Sequence, residues 1–292
     1  MMSRALLRSP VRWFGSKSRL VGRFLEMIPE HHTYVEVFGG GASLLFGKPP
    51  SKVEVYNDLD SGLVNFFRVL RDPAKYEGLQ RLALLTPYAR EEYDFCKHTW
   101  AQCEDDVERA YRWYVMARST FSGALQHGGW SSVTHESVRG ISASVNVWLR
   151  GIEMLPEIHA RLMMVQIEQA DWRRILERYD DPQAFMYLDP PYVLSTRSRT
   201  RYPSDITEAD HVEMVDRLLA MKSKVLLSGY RHPVYDPLEA AGWKRLDIQT
   251  ACHSAGSTKA TGILGDGSRL EAQARTESVW CNYELSGKEM PA

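Results

Sequence analysis

Tyr34-Val35-Glu36-Val37-Phe38 runs directly into Gly39-Gly40-Gly41, and Lys52-Val53-Glu54-Val55-Tyr56 runs into Asn57-Asp58. Each is a short β-rich run with a turn or an acid at its carboxyl end, the pattern of a strand that delivers a ligand-binding loop. Between them, Ala42 to Phe46 is short for a crossover helix and is followed by the turn residues Gly47, Pro49 and Pro50. A third run, Ala184-Phe185-Met186-Tyr187-Leu188, stops at Asp189-Pro190-Pro191-Tyr192, and a fourth, Lys224-Val225-Leu226-Leu227, stops at Ser228-Gly229. Thr207 to Met221, between the third and fourth, predicts a helix. Thr207 is its N-cap, Asp210 stands three residues on, and Val212, Val215, Leu218 and Leu219 form its apolar face. Beyond lie a short helix over His232 to Ala240 and strands over Lys244 to Thr250 and Glu277 to Tyr283. This alternation predicts an α/β fold with a doubly wound, Rossmann-like sheet, whose ligands sit outside the carboxyl ends of the strands.

From about Asp72 to Arg150 the rhythm breaks. Helices are expected around Glu91 to Thr99 and Val107 to Ala117, followed by a Ser/Gly/Trp-rich piece, Ser119 to Gly140. The reading is therefore a catalytic part formed by residues 1–72 and 150–292, with an inserted, mostly helical module over 73–149. Ser195 to Ser204 and Ser254 to Ala274, poor in apolar residues, are expected to be the least ordered pieces.

The 292-residue chain carries 36 basic and 37 acidic side chains, a net charge of −1, with 44% hydrophobic residues. That excludes a disordered tail or a histone-like basic protein and allows one large core. No apolar run approaches the ~20 residues that span a bilayer, and Arg4, Arg8 and Arg12 interrupt any secretory segment. A cytoplasmic protein with no membrane partner is expected. Cys96, Cys103, Cys252 and Cys281 form no C-x-x-C pair and the nine histidines no ligand spacing, so no metal site is expected.

Phe38-Gly39-Gly40-Gly41-Ala42-Ser43-Leu44 follows a strand with glycines that let a ligand approach the backbone. It departs from the dinucleotide fingerprint G-x-G-x-x-G, because Leu44 stands in the third glycine's place. Asp58, at the next strand end, sits where a carboxylate can accept both hydroxyls of a ribose. With no P-loop lysine pattern present, S-adenosylmethionine fits better than NAD or ATP.

Asp189-Pro190-Pro191-Tyr192 is the most specific signal. Each proline fixes its own φ, extends the residue before it and removes an N–H. Asp189 and the Pro190 carbonyl can then both accept from one donor, such as the exocyclic amine of a nucleobase. Two acceptors on its hydrogens favour a pyramidal nitrogen whose lone pair attacks a methyl in line with a sulfonium, which is catalysis by proximity and electrostatics. Tyr192 would stack on the base, worth about 1–3 kcal/mol, and in a duplex the base must first be flipped out.

These motifs together resemble the Dam-like (D12 class) DNA adenine N6-methyltransferases over most of the chain outside the insertion. Arg12-Trp13-Phe14-Gly15-Ser16-Lys17 is similar to the family's W-x-G-x-K motif, which implies that Trp13 and Lys17 contact S-adenosylmethionine. Phe38, Gly39 and Gly41 match the glycine turn, Asp58 the ribose carboxylate, and Asp189, Pro190 and Tyr192 the catalytic tetrapeptide. The resemblance also places Asp189 near the cofactor's methionine end. Gln166 to Trp172 resembles the strand end beside the cofactor's adenine, which implies Asp171 and Trp172 as contacts, and Arg275 to Trp280 resembles the closing strand. The implied activity is methyl transfer to a flipped adenine in double-stranded DNA, and the resemblance allows a restriction endonuclease as a partner in the same system.

The insertion departs from the family. Members that read GATC carry an Asn/Arg-rich hairpin, whereas Arg118 to Trp130 here does not, so the resemblance carries no recognition sequence. The resemblance implies base readout within the insertion, where Arg118, Gln126, His127 and Arg139 can offer hydrogen bonds and Trp130 or Phe121 a wedge. Arg197, Arg199 and Arg201 are expected on phosphates, as are basic residues between Arg4 and Arg23. Two alternatives stand beside this reading: RNA as substrate, and a DNA- or S-adenosylmethionine-binding regulator that has lost turnover. Serine in place of Asp189 would be more typical of N4-cytosine transfer, and asparagine of protein glutamine methylation.

Overall fold

A computed structural model describes residues 7–121, 125, 128–133, 135–196, 205–252 and 273–285. Its centre is a seven-stranded sheet. Five strands are parallel: β1 (Thr33–Glu36), β2 (Val53–Asn57), β5 (Gln166–Glu168), β6 (Ala184–Leu188) and β7 (Lys224–Gly229). The sheet is completed by β8 (Lys244–Cys252) and β9 (Gln273–Cys281); β9 runs antiparallel to both of its neighbours, β7 and β8, and the order is β5-β2-β1-β6-β7-β9-β8. A two-stranded hairpin, β3 (Ser137–Val138) and β4 (Ile141–Ser142), stands apart. The doubly wound expectation holds. The chain winds outward from β1 to β5 and then returns to pair β6 on the other side of β1. The switch point between β1 and β6 is where such a sheet opens a crevice.

Strand alternation divides the interior into two layers. Tyr34, Tyr56, Phe185, Tyr187 and Leu226 face one core, while Val35, Val37, Val55, Met186, Leu188, Val225 and Leu227 face the other. The second face is covered by α8 (Trp172–Tyr179), α9 (Glu208–Leu219) and α10 (Asp236–Ala240). The first is covered by α1 (Val21–Met27), α2 (Ser43–Gly47) and α3 (Ser61–Arg71). The helices α4 (Pro73–Leu85), α5 (Arg90–Thr99), α6 (Asp106–Ser119) and α7 (Ala143–Leu162) extend the same cluster. Local chemistry sets the α3–α4 junction. Asp60 caps α3 through the Leu63 N–H, and Asp72 ends α3 and caps α4, with Pro73 in the first turn where its missing N–H costs nothing.

Among the described residues, segment 73–149 packs into the same core cluster as the sheet. Trp113 of α6 is fully buried against Phe66 of α3, with ring centroids 5.5 Å apart, and Tyr114 stacks on Phe66 at 4.9 Å. The boundary read at 149 falls inside α7, which runs on through Pro156 to Leu162.

Helix α9 has the expected capping box of Thr207 and Asp210, but its buried stripe is His211, Met214, Val215 and Leu218. Val212 and Leu219, assigned to the apolar face from sequence, are exposed. The true stripe keeps i, i+3, i+4, i+7 spacing and includes a histidine that an apolar count passes over. Strand β9 begins four residues before the expected Glu277 and ends at Cys281. The expected short helix at His232 is a 3₁₀ turn over Pro233–Tyr235 leading into α10.

Candidate active site

The glycine turn is held from three sides. Gly39 donates to the Asn57 carbonyl at 2.8 Å, and Tyr56 Oη donates to the Gly40 carbonyl at 2.8 Å. Gly40 donates its N–H to Asp58 Oδ2 at 2.7 Å. Gly40 adopts a φ of +47°, which glycine tolerates, and Ala42 a φ of +54°, a strained value for a side chain with a Cβ. Ser16 and Ser43 share a hydrogen bond of 2.7 Å that ties the N-terminal loop down. Trp13 lies so close over Gly40 and Gly41 that a Cβ on either would meet its side chain within 3 Å.

Asp58 also accepts the N–H of Asp60 at 2.8 Å. Burial pushes its carboxyl up to about 6, against the lowering effect of these backbone donors. A carboxylate offers about four lone-pair sites, so Asp58 retains capacity for a ligand hydroxyl.

The crevice opens to solvent and is walled by Trp13, Phe38, the glycine turn, Asp58, Trp172 and Asp189. Asp189 therefore faces the glycine-lined cleft, as the chemistry read from the sequence requires. Its carboxylate is engaged: Lys17 Nζ donates to both oxygens at 2.7 and 2.8 Å, and Ser228 Oγ at the end of β7 donates to Oδ1 at 2.9 Å. Tyr192 is buried, its ring set edge-on to Tyr230 at 4.5 Å, and its hydroxyl donates to Glu277 of β9. Pro190 is buried. The Pro191 carbonyl accepts from His211 Nε2 at 3.1 Å, and Tyr235 Oη meets Nδ1 of the same ring at 3.0 Å, so α9 and the 3₁₀ turn fix the tetrapeptide's exit.

The other expected residues divide between the crevice and the rest of the fold. Lys17, implied as a cofactor contact, lines the crevice with its ammonium on Asp189. Ala170 and Trp172 wall the crevice, whereas Asp171 caps α8 through the Arg173 N–H and pairs with the Arg173 guanidinium. Arg118, expected at DNA, is buried with its guanidinium on the carbonyls of Pro10 and Val147. It braces the N-terminal segment against α7, because a buried guanidinium must spend its donors on protein acceptors. Trp130, read as a wedge, is half-buried, stacked on Tyr88 at 5.2 Å with Arg90 over its ring at 4.6 Å. Arg139 stands exposed at the hairpin tip with a φ of +58°, followed by Gly140 at +77°; both left-handed residues are what a tight two-residue hairpin turn demands. Phe121 is exposed. Gln126, His127, Arg197, Arg199 and Arg201 lie outside the described residues.

Three groups escaped the sequence reading: Glu36, Ser228 and Glu277. Glu36 lines the crevice from β1, where it accepts from Tyr34 Oη and the Leu45 N–H, both at 3.1 Å. Burial pushes it up to about 8. The signal was an acid placed inside an apolar strand run. Glu277 is pushed up to about 7 by burial, opposed by nearby Lys17. Among the described residues, no group of three His, Cys, Asp or Glu is placed to hold a metal, and no helix is long and apolar enough to cross a membrane.

The chain has relatives among known methyltransferases. The chain is 27% identical to the Type II methyltransferase M1.LlaDCHI of Lactococcus lactis subsp. cremoris, over 80% of this chain and 84% of that one. It is 24% identical to the Type II methyltransferase M.CviBI of Paramecium bursaria Chlorella virus NC1A, over 77% and 88%. Residues 13–247, which include the crevice, the glycine turn and Asp-Pro-Pro-Tyr, match the model of one family. The chain belongs to the D12 class N6 adenine-specific DNA methyltransferases.

Proposed function

We propose that this DNA adenine N6-methyltransferase binds S-adenosylmethionine in the crevice, with its ribose on Asp58, and presents a flipped adenine to Asp189. The observation that carries the reading is that Asp189 and the Gly39–Gly41 turn wall one crevice at the β1–β6 switch point. The residues fit such a cofactor. A turn with no room for a Cβ lets the ligand lie on backbone, Asp58 has acceptor capacity left, and Phe38 and Trp172 offer apolar walls for a purine.

When bound, S-adenosylmethionine supplies a methyl group on a sulfonium. Asp189 and the Pro190 carbonyl accept the two N–H bonds of the target amine and aim its lone pair along the crevice. Ser228 keeps the Asp189 carboxylate in plane by its bond to Oδ1. Tyr192, with its hydroxyl fixed on Glu277, offers a ring against the base. Segment 73–149 would supply recognition, with Arg139 at an exposed hairpin tip and Phe121 available as a wedge. Arg197, Arg199 and Arg201 follow the tetrapeptide in sequence, which supports phosphate contact. Two relatives named Type II methyltransferases support a place in a restriction–modification system, with an endonuclease specific for the same site.

Transfer of labelled methyl from S-adenosylmethionine to duplex DNA, followed by mapping of the modified positions, tests the proposal. Label on the adenine N6 of a recurrent site is expected, and label confined to RNA or absent altogether overturns it. The Asp58 assignment has its own check. Ribose hydroxyls need an ionised acceptor, and the free protein's carboxyl protonates below about 6. Cofactor affinity should be flat above that pH and fall by up to about tenfold per unit below it, as measured by calorimetry. Asp58→Asn should bind weakly at every pH and lose the slope; an unchanged Kd in that variant removes the assignment.

A further inference from the structure

Lys17 Nζ occupies the place that the target amine needs. It donates to both Asp189 oxygens and sits 4.9 Å from the centroid of the Tyr192 ring. An ammonium at the acceptor and against the aromatic ring is a stand-in for the adenine N6 group, so base entry requires it to leave at least one oxygen. A charged donor holds a carboxylate more strongly than a neutral amine does, and Lys17 is almost buried. Departure into the interior without a second anion would leave an unpaired buried charge, which is strongly unfavourable.

A second anion is already in place. Glu277 Oε1 lies 3.6 Å from Lys17 Nζ. It is presented by β9, whose pairing with β7 sets Ser278 opposite Gly229, directly after Ser228. Its orientation is fixed by the Tyr192 hydroxyl, which donates to the same Oε1. Resting on the role proposed for Asp189, we infer that Glu277 is a positioning residue that receives Lys17 when the target adenine takes over Asp189. Tyr192 links the two events, since the ring that meets the base carries the hydroxyl that holds the receiving carboxylate. Burial raises the Glu277 carboxyl and nearby Lys17 lowers it, so a closer approach of Lys17 would favour the charged form that receives it.

Glu277→Gln keeps an acceptor for Tyr192 and removes the charge. With S-adenosylmethionine and duplex DNA under single-turnover conditions, its methyl-transfer rate should fall ~10- to 100-fold, the range of one lost charge-assisted contact. The dissociation constants for cofactor and DNA should each stay within about threefold, a split that mere unfolding or a lost binding contact would not give. In a Lys17→Met background the same substitution should change the rate by less than about twofold, because the residue it acts through is gone. A wild-type rate for Glu277→Gln overturns the inference. So does an equal loss in both backgrounds, which would mean that Glu277 acts without Lys17. Failure of the Asp189 reading shows itself separately, as turnover in Asp189→Ala with Glu277 intact.

Discussion

Asp189→Ala is expected to lower the methyl-transfer rate by at least about 10³-fold while leaving a folded protein that still binds cofactor. The rate loss follows from geometry. Asp189 is the side-chain acceptor in the crevice at the exit of β6, held in place by Ser228. Removing one preorganised group of this kind costs about 10²–10³ on its own, and here the amine also loses the contact that orients its lone pair. Stability should be nearly spared, because Lys17 still faces Glu277 at 3.6 Å and is not left without an anion. A shift in thermal midpoint of no more than about 2 °C is expected, equivalent to about 1 kcal/mol in a chain of this size. Asp189→Asn keeps the shape and should be almost as inactive, since an amide accepts with one atom and offers two unwanted donors. Turnover near the wild-type rate in either variant, with labelled methyl counted in DNA, would remove the catalytic argument.

Gly39→Ala is expected to cost more in stability than any other single methyl added to the crevice wall. A Cβ there would stand 2.1 Å from Tyr56 Cε2 and 2.6 Å from Cδ2. The ring cannot retreat: Tyr56 is fully buried, packs edge-on against Phe67 at 5.0 Å, and spends its hydroxyl on the Gly40 carbonyl. Overpacking against a fixed ring costs about 3 kcal/mol. The turn should move, the Gly40-to-Asp58 bond should open, and cofactor affinity should fall together with the thermal midpoint. Gly22→Ala in α1 is the control. Nothing lies within 4 Å of its added carbon, and alanine in a helix is favoured by up to about 1 kcal/mol. If Gly39→Ala melts with the wild type and binds cofactor equally well, the account of the turn is wrong.

The parallel half of the sheet could be read from the sequence because each strand announces itself twice, by β-branched or aromatic residues and by the loop it ends in. Ala184 to Leu188 was read to the residue, and Asp189 was found because its prolines make the site rigid locally. What escaped was non-local. The insertion of β9 between β7 and β8 depends on pairing between segments distant in sequence, which no periodicity in either strand encodes. The module boundary at 149, read from a break in the strand–helix rhythm, cuts α7, whose buried Trp148, Ile152, Leu155 and Ile158 continue one stripe past it. Glu277 was legible only as part of the closing strand, because nothing local marks the Tyr192 hydroxyl and Lys17 ammonium set against it. Arg118 looked like a base reader because an arginine beside a glycine-rich loop carries no mark of the two carbonyls that hold it inside.

The shared core has a consequence for how target preference can change in this protein. Trp113 of α6 fills the space over Gly62 in α3 and lies 6.3 Å from Trp13, the residue that roofs the glycine turn. Exchange of residues 73–149 for the matching piece of a relative would therefore carry a foreign indole contact into the cofactor's roof. On the recognition role proposed for this segment, preference for a new site is better altered one side chain at a time on the exposed hairpin than by transplanting the segment as a cassette.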